Sequence, residues 1–171
     1  MKKIIIITIY TLFSIEISAQ TDLSISAKGE KAIGVNVSYG KEIDDFGIGL
    51  NGLYNFTNTI QGEVYFDYFF KTDDTSLLDA GINLHFLFPI GNRMRIYPLV
   101  GFTISTWMFD LDDDEMLEDD DSWTESKFGI NIGGGYQYDL SARLHICVEA
   151  KYQLISDYDQ PAFKVGLAYK F

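Results

Sequence analysis

The sequence predicts an all-β fold, an eight-stranded antiparallel up-and-down transmembrane β-barrel. Three observations predict it. Apolar and polar residues alternate with period two along eight runs, the signature of strands with two unlike faces. One face of every run is free of charge, while the other holds the polar groups and many of the glycines. The connections between runs alternate between short turns and mostly longer polar segments, as in barrels that cross a bilayer.

Composition sets the outer bounds. The chain has 171 residues, 47% hydrophobic and 15% aromatic, with 13 Phe and 11 Tyr. A disordered chain is excluded by that apolar content. A single Cys excludes a disulfide-stapled scaffold. The formal net charge of -12 argues against a nucleic-acid partner, because phosphate binding needs a basic face. Fifteen Gly beside so many aromatics point to β structure.

Residues 1–19 read as a secretory signal peptide. Lys2 and Lys3 form the basic start, Ile4 to Phe13 the apolar stretch, and Ala19-Gln20 the expected cleavage junction. The apolar stretch is too short to span a bilayer as a helix. Residues 20–31 are a short N-terminal segment, and residues 32–171 are expected to form the barrel.

The runs are 32–40, 46–56, 59–71, 77–90, 95–108, 127–139, 142–155 and 161–171. Most approach or exceed the roughly nine to eleven residues that cross a bilayer as a tilted strand. The first run shows Ile33, Val35, Val37 and Tyr39 on its charge-free face; the second shows Phe46, Ile48, Leu50 and Tyr54. The third shows Val64, Phe66, Tyr68 and Phe70, and the fourth Ile82, Leu84, Phe86 and Phe88. The fifth continues with Val100, Phe102 and Ile104, and the sixth with Phe128, Ile130 and Ile132. Ile146, Val148 and Tyr152 follow in the seventh, then Phe163, Val165, Leu167, Tyr169 and Phe171 in the last. The opposite face carries Asn51, Glu63, Asp67, Asp79, His85, Arg95, Glu149, Lys151 and Lys164 among small residues such as Gly47, Gly129 and Gly135. In lipid the charge-free face points outward and the polar face fills the lumen, with inward Gly making room for inward Tyr65, Phe69, Tyr97 and Trp107. Aromatics at the run ends, among them Tyr54, Phe56, Phe86, Phe88, Tyr169 and Phe171, form an interfacial girdle at the short-turn rim.

Short connections fall at Thr57-Asn58, Gly91-Asn92 and Leu140-Ser141. The others are 41–45, 72–76, 109–126 and 156–160. Pro98 interrupts the fifth run. A closed barrel has no free edge to excuse a missing donor, so the strand is expected to begin nearer Leu99 or to carry a bulge there.

This pattern resembles the small eight-stranded outer-membrane barrels of the OmpA/OmpX type over the whole chain beyond the signal peptide. The final strand, Phe163 to Phe171, alternates and ends in a C-terminal aromatic, similar to the family's assembly signal. The resemblance implies the bacterial cell outer membrane, surrounding outer-membrane lipid, and insertion by the barrel assembly machinery through the strand ending at Phe171. It implies no particular activity.

Candidate chemistry is sparse. His145, Cys147 and Glu149 share one inward face and could be read as base, nucleophile and orienter, but lumen packing with a His–Glu hydrogen bond accounts for them. Nine acids between Asp110 and Asp121 offer oxygens for calcium, yet lack the sixth-position Gly and terminal Glu of an EF-hand loop. No catalytic, cofactor-binding or metal-binding residue is assigned, and no cofactor is implied. The reading is a non-enzymatic integral outer-membrane barrel of the cell envelope with acidic surface loops, in an interaction or structural role with an unknown extracellular partner. The alternatives are an outer-membrane lipid-modifying enzyme and a soluble periplasmic barrel binding an apolar ligand, its strands turned inside out.

Overall fold

The computed structural model describes residues 27–41, 44–72, 75–109, 123–156 and 159–171. They form β1 (Lys31–Gly40), β2 (Asp45–Asn55), β3 (Ile60–Thr72), β4 (Thr75–Phe86), β5 (Phe88–Ile90), β6 (Met94–Phe109), β7 (Trp123–Asp139), β8 (Leu144–Ile155) and β9 (Gln160–Lys170). Except for β4 and β5, each strand pairs antiparallel with its sequence neighbours; β1 pairs β9, and the β4–β6 ladder completes the ring. Closure satisfies every wall of backbone donors and acceptors, which lipid cannot do. β4 and β5 are one stave interrupted at Leu87, so the barrel has eight staves. The register is the same on both sides of the interruption, with His85 opposite Leu99 and Phe88 opposite Ile96.

The two faces sort as the alternation requires. Val64, Ile82, Phe128 and Ile33 are more than half exposed on the outside. Glu63, Asp79, Asn83, His85 and Arg95 are buried inside. This polarity overturns the soluble inside-out alternative, which needs the apolar face within.

Three details differ from expectation. β6 runs straight through Pro98, which stays opposite Gly134 of β7. The ladder lapses instead on the other side, at Phe86–Leu87, where β4 gives way to β5. The Leu87 amide, on the side away from Pro98, continues the β3–β4 register by donating to the Thr59 carbonyl at 2.8 Å. Second, residues 123–126 belong to β7 rather than to the long connection, since Thr106 pairs with Ser126 and Phe109 with Trp123. Hydroxyls of Thr106 and Ser126, 2.9 Å apart, help hold that extension. Residues 110–122 lie outside the described residues, as do residues 1–26 with the signal peptide. Third, aromatics band both rims rather than one. Tyr54 and Phe56 pack edge to face at 5.1 Å at the short-turn rim, while Tyr39 with Phe46 and Tyr68 with Phe70 pair at the opposite rim. Paired girdles are what a barrel crossing two interfaces needs. Beyond that second rim, the Tyr39 hydroxyl bonds the Asp44 carboxylate and, with Lys41, holds it below the usual carboxylate range.

Candidate functional site in the barrel lumen

The lumen is stratified along its axis. At the long-loop end, Phe69, Leu77, Trp107 and Ile155 form a buried apolar layer. The inward aromatics have room because small residues face them. Gly47 stands opposite Phe69 and Gly81 opposite Tyr65 in adjacent strands. A Cβ at Gly81 would meet the Tyr65 hydroxyl at 2.7 Å.

Below that layer lies a polar tier around Asp79. Its carboxylate accepts from Ser105 at 2.8 Å, Gln153 at 2.8 Å and the Thr103 hydroxyl. The Lys151 ammonium sits 3.9 Å from the same carboxylate and 3.8 Å from the centre of the Tyr65 ring, a cation–π contact.

The next tier centres on Glu63 of β3 and Glu149 of β8. Lys164 of β9 bridges them, 2.6 Å from Glu63 Oε1 and 3.2 Å from Glu149 Oε1. Asn51 donates to Glu63 Oε1 at 2.9 Å and Asn83 to Glu63 Oε2 at 2.8 Å. Tyr97 donates to Glu149 Oε2 at 3.0 Å. His85 of β4 stacks on Tyr97 with ring centres 4.4 Å apart. Its Nε2 faces both carboxylates, 3.3 Å from Glu63 Oε2 and 3.8 Å from Glu149 Oε2. At the short-turn end, Arg95 and Lys170 converge on Asp139, and Lys170 also reaches Glu30 at 3.5 Å.

The row of His145, Cys147 and Glu149 does not work as a unit. Both ring nitrogens of His145 are buried without a hydrogen-bond partner, and Cys147 is a free buried thiol. The histidine that meets Glu149 is His85, from another stave. Spacing along one strand pointed to the wrong histidine, because a filled lumen brings opposite walls into contact. Gln137, for example, donates to Gln61 at 2.8 Å across 76 residues of sequence. Glu63, His85, Glu149 and Lys164 were all legible as inward residues, and only the combined register of β3, β4, β8 and β9 joins them.

A closed antiparallel barrel, apolar outside, polar inside and banded by aromatics at both rims, defines a membrane-spanning β-barrel. A family model for the outer membrane protein beta-barrel domain matches residues 11–171, and the chain belongs to that family. It is a bacterial outer-membrane protein. No curated relative matches the sequence. Among solved structures, the N-terminal β-barrel domain of Pseudomonas aeruginosa OprF is similar at TM-score 0.64 and 13% identity, covering 85% of this chain and 100% of that one. Ail, the attachment invasion locus protein of Yersinia pestis, is similar at TM-score 0.61 and 21% identity, covering 84% and 99%. Ail in complex with the heparin analogue sucrose octasulfate is similar at TM-score 0.60 and 20% identity, with the same coverage.

Proposed function

We propose that this protein is a non-enzymatic outer-membrane barrel that displays its loops for contact with a positively charged partner outside the cell. The observation that carries the reading is the apolar layer of Phe69, Leu77, Trp107 and Ile155 across the loop end of the lumen. With the lumen filled and capped, the surface left for recognition is the loop rim. The longest connection there holds nine acids within residues 110–121. Such a segment attracts cations and repels polyanions. Ail was solved with a polysulfated ligand; the loop charge of this chain favours the opposite sign. Residues 1–19 serve as the export signal, and β9 with the C-terminal Phe171 is the element read by the barrel assembly machinery.

The test uses whole cells expressing the full chain or a variant with residues 110–122 replaced by a short turn. Binding to polylysine-coated and heparin-coated surfaces is compared. The reading expects polylysine binding that falls with the replacement and with added salt. Equal binding by both cells, or a preference for heparin, contradicts it. Lipid-modifying chemistry is tested apart from this: an altered lipid A acyl pattern in a deletion strain would replace the non-enzymatic reading.

A further inference from the structure

We propose that Glu63, His85 and Glu149 form a buried binding site for one divalent first-row metal ion of the zinc class, inside the barrel wall formed by β3, β4 and β8. One ligand atom from each residue lies within 4.8 Å of the others, and all three side chains are buried. The neighbours of His85 fix its tautomer. Gln61 donates its amide N–H to Asn55 Oδ1 at 2.8 Å, so its Oε1 is the end that accepts from Gln137 at 2.8 Å. His85 Nδ1 lies 3.3 Å from that same Oε1 and must therefore be the donor. The proton sits on Nδ1, which leaves Nε2 to point at two carboxylate oxygens with no hydrogen bond of its own. A lone pair facing two carboxylates is repulsive unless a cation lies between them.

Each Oε2 that faces His85 accepts one hydrogen bond, from Asn83 or from Tyr97, and keeps a second lone pair for a cation. Lys164 holds the Oε1 atom of each carboxylate, Asn51 and Asn83 orient Glu63, and Tyr97 orients Glu149. These are the outer partners that ligating His and carboxylate groups require, with Gln61 fixing the imidazole. Bond lengths of about 2.0–2.2 Å put neighbouring ligand atoms of a zinc-class ion roughly 3.3–3.6 Å apart. The observed separations of 3.3 and 3.8 Å from Nε2 to the two carboxylates bracket that range. One imidazole and two carboxylates are a nitrogen–oxygen set suited to zinc or manganese rather than to a thiolate-seeking metal.

Charge points the same way. The middle of the lumen buries the carboxyl groups Glu63, Asp67, Asp79 and Glu149 against the two ammonium groups Lys151 and Lys164. Four carboxyl groups against two ammonium groups leave room for a further positive charge at this level. Uncompensated buried charge is strongly disfavoured.

The test refolds the full barrel in detergent with zinc or cobalt(II) present, because the filled lumen limits later entry. Metal content, the cobalt visible spectrum and heat-dependent gel mobility are read on the same sample. One ion per folded barrel is expected. It should be lost in His85→Gln and in Glu149→Gln, and bound roughly 10- to 100-fold more weakly in Gln61→Leu. If the ligand variants do not fold, nitrogen NMR of His85 in the wild type decides: coordination moves the Nε2 signal between barrels refolded with and without zinc. A folded wild-type barrel that carries no ion from excess zinc, metal retained equally by both ligand variants, or a His85 ring protonated on both nitrogens and indifferent to zinc would overturn the proposal.

Discussion

Tyr97 and Gly135 face each other directly across the β6–β7 ladder, and a Cβ on Gly135 would collide with the Tyr97 ring and hydroxyl. The glycine is what lets the tyrosine lie across the lumen, donate to Glu149 and stack on His85. Gly135→Val should therefore destabilise the barrel by about 1–3 kcal/mol through overpacking. Urea-dependent folding into phospholipid vesicles measures it. In the Tyr97→Ala background the same substitution should cost less than half as much; an equal cost in both backgrounds would show that the pair is not coupled.

Leu84 and Val148 are outward and close to half exposed, at 43% and 47%. Leu84→Arg and Val148→Arg should each cost on the order of 2–4 kcal/mol, the depth-dependent penalty for a cation on the lipid side. Leu84→Phe should be nearly neutral. The same vesicle titration checks this, and Arg tolerated as well as Phe would place these residues inside.

Much of this inside–outside sorting was legible in the sequence, because a strand buried in lipid on one side and in a polar lumen on the other writes a period of two. Leu84 and Asn83 could be assigned to opposite faces without any partner. What was not legible depends on register. Pro98 could be flagged but not resolved, since the ladder lapse opposite it, at Phe86–Leu87, lies on another stave. The Glu63–His85–Glu149 grouping joins three staves, and no local spacing encodes it. Leu77 and Ile155 of the apolar lumen layer also escaped notice, because each sits on a face read as polar.

Lys164 is the cation shared by Glu63 and Glu149. Removing it in Lys164→Met leaves both carboxylates buried without that partner and should cost about 3–5 kcal/mol. Adding Glu63→Gln should recover part of the loss, because it deletes one of the stranded charges. A double-mutant cycle in vesicles measures the coupling, and strict additivity would argue that the bridge contributes nothing.

The capped lumen should not conduct. Eight staves leave an interior that side chains just fill, and here Phe69, Leu77, Trp107 and Ile155 close one end. Planar-bilayer recordings of the refolded barrel should show no stable, porin-like conductance. Large steady openings in the wild type would mean that the apolar layer does not persist in the membrane.

The central claim is that the apolar face of a closed barrel meets lipid. The most direct measurement places nitroxide labels at Val100, Phe102 and Ile104 of β6, one at a time, in a Cys147→Ser background reconstituted in phospholipid vesicles. All three are outward, and 43–54% exposed. Collision rates with oxygen, which partitions into lipid, and with a water-soluble nickel chelate are then compared. Oxygen is predicted to dominate at all three positions, with the chelate excluded. Ready access of the chelate to these positions would contradict the account.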